Sequence, residues 1–144
     1  MKHICVDTNI LVESTDKSSI YYNYVQKTLR ELGIVIYVPT ICLAEFVKIF
    51  LKKNKTKKEI KTYFEEFTTL SSDNQQFHIA KLNSQIAFIA GCLERKYSIG
   101  IADAIISATY FFHKCNILKT KNIRDFSKVS WKHRGEMLRI NAQK

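Results

Sequence analysis

The stretch HICVDTNIL, from His3 to Leu11, is an apolar run that stops at a carboxylate. Ile4, Cys5 and Val6 are typical of a buried β-strand, and apolar residues resume at Ile10 after Asp7. An acid at the end of a buried strand is unfavourable unless something neutralises its charge. We therefore expect the rest of the chain to supply a neutralising partner for Asp7.

Beyond this strand, apolar segments of strand and helix type alternate along the chain. Ser18 and Ser19 precede an amphipathic helix that Gly33 closes, Ile34–Val38 is a second strand, and Pro39 and Thr40 open a helix that is buried at its start. Thr56-x-x-Glu59 is a capping box, and SSDNQQ, 71–76, is predicted as a loop. Further elements are predicted at Phe77–Ala80 (strand), after Asn83 (capped helix), in IGIADAIISATYFFHK (buried helix), at Ile117–Thr120 (strand) and at Val129–Trp131 (edge strand).

This order predicts an α/β fold with a central parallel sheet that helices cover on both sides. A chain of 144 residues is long enough for one domain with a real core, so we expect a single domain over residues 1–144. In such sheets, ligands bind beyond the carboxyl ends of the strands. Asp7 and the segment after Thr120 both lie at such ends.

The composition narrows the class of protein. No apolar run approaches the roughly 20 residues of a membrane span, and the N-terminus lacks the pattern of a signal peptide, so a soluble, cytoplasmic protein is expected. The four cysteines, Cys5, Cys42, Cys92 and Cys115, are scattered among apolar neighbours, which favours packed, reduced thiols over a zinc site or disulfides.

The charge points to a polyanionic partner. Lys and Arg number 23 against 13 Asp and Glu, a formal net charge of +10. Such an excess favours nucleic acid first and an anionic membrane second, although a lysine-rich surface that only keeps the protein in solution has the same composition. Basic residues concentrate in Lys48–Lys58, which is equally suited to a solvated helix end, and in Lys119–Arg134, which is assigned to nucleic-acid phosphates.

Four acids differ from the rest because their neighbours are apolar or lie at strand ends. Asp7 ends a strand, Glu45 and Asp103 lie within buried helices, and Asp125 follows the strand that ends at Thr120. Any one of them alone would be a helix cap or an ion-pair partner. If all four converge, their repulsion requires a multivalent cation, shared protons or basic partners. Carboxylate oxygens without His or Cys favour Mg²⁺ or Mn²⁺.

Four blocks of the sequence resemble the signature blocks of the PIN domain family. They are VDTNILV, CLAEF, IGIADAIISATY and TKNIRDF, and they occur in that family's order over nearly the whole chain. The subgroup that the chain resembles is that of the VapC-like toxins of type II toxin–antitoxin systems. Four blocks in order are a far stronger signal than DTN alone.

The resemblance implies a three-layer α/β/α fold and a metal-dependent endoribonuclease. It makes Asp7, Glu45, Asp103 and Asp125 the metal-binding acids, with Asp125 binding directly or through water. It makes Thr8, Asn9, Thr120 and Asn122 positioning groups around metal, water or phosphate, although Thr120 is equally suited to an ordinary turn. A cognate antitoxin and a homodimer are also implied.

The same residues argue against several alternative functions and leave others open. Asn9 stands where a haloacid-dehalogenase-like phosphatase needs a second aspartate, and the four glycines are too dispersed for a dinucleotide-binding turn. No histidine lies in the four blocks, which argues against a metal-free ribonuclease and places His3, His78, His113 and His133 at the surface or in packing. A non-catalytic RNA-binding module and an RNA-processing nuclease without a toxin role remain open.

Overall fold

The centre of the molecule is a five-stranded sheet, seen in a computed structural model that describes residues 2–73, 76–129 and 136–139. The strand order is β3-β2-β1-β4-β5, and every neighbouring pair is parallel. The predicted α/β fold with a central parallel sheet is therefore confirmed. The strands are β1 Lys2–Val6, β2 Ile34–Pro39, β3 Phe77–Ala80, β4 Ile117–Thr120 and β5 Glu136–Arg139.

Helices connect the strands and cover both faces of the sheet. Cys5 of β1 reaches the Ile106 carbonyl of α6, whereas Lys119, which pairs with Val6, reaches Tyr24 of α2. Because Cys5 and Val6 point to opposite faces, α6 and α2 lie on opposite sides of the sheet. The helices are α1 Thr8–Glu13, α2 Tyr22–Arg30, α3 Thr40–Lys52, α4 Lys57–Asp73, α5 Ser84–Tyr97, α6 Ile101–Phe112 and α7 Ile123–Phe126.

The sequence signals for helix starts are largely realised. Thr56 and Glu59 exchange the two hydrogen bonds of a capping box before α4, and Asn83 Oδ1 accepts the Ile86 N–H at the start of α5. The start of α2 differs from the prediction, because the helix begins only at Tyr22 and no side chain caps it. Gly33 lies at φ +80, a left-handed conformation that suits glycine at the turn into β2.

Three local predictions are wrong in part. The predicted loop at 71–76 overlaps helix α4, which continues to Asp73. Val129 lies in a turn rather than a strand, and Ser130 and Trp131 fall outside the described residues; the strand that pairs with β4 is Glu136–Arg139. Cys5, Cys42 and Cys115 are buried free thiols as expected, but Cys92 is exposed, since it lies on the outer side of α5.

The core packs on both sides of the sheet. Phe46, Phe77, Tyr110 and Phe126 are its largest side chains that are fully buried. Among the helices that the structure describes, none combines the length and the hydrophobicity needed to cross a bilayer. This packing holds the carboxyl ends of β1, β2 and β4 at one edge of the sheet, where the candidate site lies.

Candidate functional site

Asp7 lies at the end of β1, where it also caps the N-terminus of α1. Its side chain accepts hydrogen bonds from the Thr8 N–H (2.6 Å), the Thr120 hydroxyl (2.7 Å) and the Asn9 amide (3.4 Å). Burial raises the pKa of Asp7 above its usual range, and the hydrogen bonds from Thr120 and Thr8 oppose that rise. At only 5% exposure, Asp7 is a carboxylate whose orientation is held by three neighbours.

Glu45 reaches the same place from α3, which follows β2 without a loop. The Thr8 hydroxyl donates to Glu45 Oε1 at 2.5 Å, so Thr8 links the Glu45 and Asp7 side chains. One ligand atom from each of Asp7, Cys42 and Glu45 lies within 4.8 Å of the other two. Among described residues, these two carboxylates and one thiol are thus close enough to share a cation.

Cys42 was not among the predicted site residues. The signal that could have found it is its position three residues before Glu45 in a helix, which places both side chains on one face. Burial raises the pKa of the Cys42 thiol well above its ordinary value, and the charges of Asp7 and Glu45 raise it further. A protonated thiol is a poor metal ligand, so in this group the two carboxylates are better suited than Cys42 to hold a cation.

Asp103 and Asp125 complete the acidic group from the other side. The Asn122 amide donates to Asp103 Oδ2 at 3.4 Å and to Asp125 Oδ2 at 3.3 Å, and it therefore bridges the two acids. Asp103 lies in the first turn of α6, and Asp125 lies in the short helix α7. Asp125 thus comes from the segment after β4, whereas Asp103 comes from a helix that follows α5.

The negative charges of the other three acids act on Asp103. Burial raises the pKa of Asp103 to about 7, and the negative charges of Asp7, Asp125 and Glu45 contribute to the rise in that order. The structure therefore places the four acids near one another, although among the described residues only Asp7 and Glu45, together with Cys42, have ligand atoms within 4.8 Å of one another. A crowded group of carboxylates with raised pKa values favours bound protons or a bound cation.

The predicted positioning residues lie between these acids. Thr120 is fully buried, and its hydroxyl donates to Asp7 while it accepts the Asn122 N–H at 2.9 Å. Asn9 accepts the Lys121 N–H at 3.2 Å through its side-chain oxygen. Thr120 and Asn9 thus join the end of β4 to the start of α1 and orient the Asp7 carboxylate.

The basic residues nearest the acids are engaged with protein groups. Lys119 is only 7% exposed and donates to the Tyr24 hydroxyl at 2.7 Å. It is therefore not available to phosphates, contrary to the assignment from the sequence. Lys121 pairs with Glu13 at 2.9 Å and lies over the Tyr21 ring, and Lys128 lies 3.8 Å from Asp125. The side chain of Arg124 is exposed. The part of the segment from 130 to 134 falls outside the described residues.

Solved structures resemble the whole of this fold. A VapBC2 complex from Rickettsia felis bound to a promoter DNA fragment matches with a TM-score of 0.71 and 22% identity, over 96% of this chain and 99% of that one. A toxin–antitoxin complex from Klebsiella pneumoniae matches with a TM-score of 0.61 and 24% identity, over 86% and 90%. VapC20 of Mycobacterium tuberculosis, a Sarcin-Ricin loop cleaving toxin, matches with a TM-score of 0.62 and 10% identity, over 80% and 86%.

At these identities the solved structures show a shared fold. No curated protein sequence matches this chain. The model of the PIN domain matches residues 4–132, a span that contains all four acids and their hydrogen-bonding partners. With that match and the site geometry together, the chain belongs to the PIN domain family.

Proposed function

We propose that this protein is a divalent-metal-dependent endoribonuclease that hydrolyses RNA phosphodiester bonds. The observation that carries the proposal is the convergence of Asp7, Glu45, Asp103 and Asp125 at the carboxyl edge of the sheet, with the pKa of Asp103 raised to about 7. Repulsion within such a group favours a bound cation, and a bound cation can activate water for phosphodiester hydrolysis at neutral pH. The net charge of +10 suits a polyanionic substrate.

The donor set fits Mg²⁺ or Mn²⁺, because the available ligands are carboxylate oxygens. Asp7 and Asp103 are the residues that we expect to hold the ion directly, with Glu45 as a third donor and Asp125 as a direct or water-mediated one. When bound, the ion supplies an activated water and neutralises charge on the phosphoryl oxygens.

Hydrogen bonds from neighbouring side chains and one backbone N–H fix the orientation of the four carboxylates. Thr8 and Thr120 occupy one oxygen each of the Asp7 carboxylate, and Thr8 also fixes Glu45. Asn122 holds Asp103 and Asp125 side by side. Because these neighbours donate hydrogen bonds, they stabilise the ionised form of the carboxylates, which is the form that would bind a cation. The Thr8 hydroxyl also holds Glu45 in an orientation in which it could coordinate a metal ion or position a water.

The direct test is cleavage of single-stranded and hairpin-loop RNA by the purified protein. We expect cleavage with Mg²⁺ or Mn²⁺ and none in EDTA, because the acids cannot act on RNA without the ion. Asp7→Asn, purified in the same way, controls for contaminating nucleases and should be inactive in both conditions. The metal mechanism would be excluded if the wild type cleaved RNA equally well in EDTA and in Mg²⁺ while the Asp7→Asn protein showed no cleavage.

We further propose that this ribonuclease is the cytoplasmic toxin of a type II toxin–antitoxin pair. Structures of toxin–antitoxin complexes share the fold over nearly the whole chain, and an antitoxin peptide that occupies the acidic cleft or an adjacent groove would block RNA. Expression of the wild type alone is expected to slow growth, whereas Asp7→Asn should not, and co-expression of a neighbouring small gene should restore growth. Normal growth with abundant active enzyme would instead favour an RNA-processing role.

A homodimer remains a prediction of the family resemblance. Light scattering on the purified protein is expected to give twice the 16.8 kDa of one chain. A mass that stays at one chain over the concentration range of the cleavage assays would reject the dimer.

A further inference from the structure

Three histidines and a tyrosine form a cluster outside the acidic site. The Tyr37 ring centroid lies 4.4 Å from that of His113 and 5.6 Å from those of His3 and His78, and the Tyr37–His113 and Tyr37–His78 pairs are stacked. The Tyr37 hydroxyl also lies 3.2 Å from His3 Nδ1. All four side chains are half-buried, so each ring keeps an exposed part. The proposed metal chemistry uses none of them.

The cluster lines a groove on one face of the sheet. Helix α6 covers this face over β1 and ends at Phe112, and His113 directly after it lies over Tyr37 of β2. The groove has a volume of about 470 Å³, and its lining includes Tyr37, His78, His113 and Lys81. Its walls are thus these three rings and one exposed lysine, together with Ile79, Ala80 and Asn83.

The groove opens on the same edge of the sheet as the acids. Lys81 follows β3, and the Thr40 hydroxyl at the end of β2 donates to the Ala80 carbonyl at 2.8 Å. Asp7 ends β1, which lies two strands from β3. The stacking rings lie farther from the acids than Lys81 does. His113 directly follows α6, whose first turn carries Asp103, and a helical rise of about 1.5 Å per residue puts these two residues roughly 15 Å apart.

A metal ion is a poor occupant of this cluster. Within the described residues, three potential ligand atoms come within 4.8 Å of one another at Asp7, Cys42 and Glu45, and the three imidazoles do not form such a group. Burial lowers the pKa of His113, and the charges of His78 and His3 lower it further, so its ring is neutral at neutral pH. A neutral, half-exposed aromatic ring favours stacking over ion pairing with a phosphate.

We propose that this groove binds an unpaired base of the RNA substrate by stacking it on the His78 and His113 rings, a few nucleotides from the phosphate at the acidic site. The inference rests on the proposed ribonuclease function and adds a subsite to it. Lys81, at the mouth of the groove, then faces the backbone of the same nucleotide. Stacking tolerates every base, so the subsite selects unpaired strands rather than a particular sequence.

The test is binding of a labelled single-stranded RNA 12-mer to the full chain in EDTA, measured by fluorescence anisotropy. The double variant His78→Ala/His113→Ala is expected to raise Kd roughly tenfold, the effect of losing one stacked base. Phe88→Ala removes an exposed ring on α5, outside this groove, and should leave Kd unchanged. His113→Phe keeps a ring and should retain wild-type binding. Circular dichroism melts confirm that each variant is folded.

Abasic RNAs separate stacking from charge. A 12-mer in which every base is removed should bind the wild type more weakly than the intact 12-mer does, and this difference should be smaller in the double variant. The salt dependence of Kd should stay unchanged, because no phosphate contact is removed.

Three outcomes would overturn the inference. Equal binding and cleavage by the wild type and the double variant would reject the subsite and leave the ribonuclease proposal intact. Unchanged RNA binding with loss of self-association in the variant would assign the groove to a protein contact instead. RNA that the wild type neither binds nor cleaves would overturn the proposed function and the subsite together.

Discussion

Asp103→Asn is expected to lower the rate of RNA cleavage by at least about 100-fold while leaving the metal-free protein no less stable than the wild type. The loss of activity corresponds to about 3 kcal/mol of transition-state stabilisation, within the several kcal/mol that a bound ion supplies. The metal-free variant should keep its stability because the substitution removes charge repulsion. The negative charges of Asp7, Asp125 and Glu45 all raise the pKa of Asp103 in the wild type. Asparagine keeps the shape of the side chain and an oxygen for the Asn122 amide.

The expected gain in stability is small. Asp103 is only half-buried, and solvent screens its interactions, so removing its charge should stabilise the apo protein by on the order of 1 kcal/mol. For a chain of this length that is about 2–4 °C in Tm. If Asp103 were instead an ordinary buried ion-pair or capping residue, the substitution would cost roughly 1–3 kcal/mol with or without metal.

Thermal melts in EDTA and in Mg²⁺ distinguish these two cases. Glu65→Gln, at an exposed position on α4, is the matched control for loss of one negative charge. We expect Mg²⁺ to raise the Tm of the wild type and of Glu65→Gln, and to raise that of Asp103→Asn much less. An Asp103→Asn protein that is clearly destabilised in EDTA, yet gains as much from Mg²⁺ as the wild type, would refute the metal-binding role of Asp103.

The second large effect is a pH dependence of stability and of Mg²⁺ binding. The folded-state pKa of Asp103 is about 7, above its ordinary value of 3.8, so the folded state binds more protons than the unfolded state between these values. Stability of the metal-free protein is therefore lost as pH rises from about 4 to 7. Mg²⁺ must displace this proton, and its apparent affinity should fall on the order of tenfold for each pH unit below 7.

These dependences are measured as Tm against pH from 5 to 8, with EDTA and with a fixed excess of Mg²⁺. The increase in Tm caused by Mg²⁺ should be largest at pH 8 and nearly absent at pH 5 in the wild type. In EDTA, the Tm difference between Asp103→Asn and the wild type should grow as pH rises from 5 to about 7 and then level off. A Mg²⁺ effect that is constant from pH 5 to pH 8 would show that Asp103 does not titrate at the metal site.

Local sequence signals predicted most of the elements correctly because they depend on nearest neighbours. Thr56 and Glu59, three residues apart, cap a helix wherever it lies, and Asn83 does the same for α5. The apolar runs at Ile4, Ile34 and Ile117 are strands because burial on both faces requires them to be apolar along their length. The start of α2, the extent of α4 and the last strand were misplaced, since tertiary contacts set their ends.

The four acids were recognisable from the sequence because each interrupts an apolar context. A carboxylate beside Val6, Phe46 or Ala104 has a desolvation cost that ordinary surface acids lack. That reasoning identified the residues but not their neighbours. For Cys42, for example, the sequence predicts a packed thiol, and the residue is buried as expected. Its position beside Asp7 and Glu45 is visible only in the folded structure.

The sequence by itself therefore determined the order of strands and helices and the acids that they carry. The tertiary structure decided which groups meet across long separations in the chain. Thr120 meets Asp7, and Asn122 bridges Asp103 and Asp125. It also decided that Lys119 is buried against Tyr24 and that distant histidines gather around Tyr37. The physical reason is that hydrogen bonds and charge repulsion depend on distance in space, which the order of strands in the sheet sets and residue spacing does not.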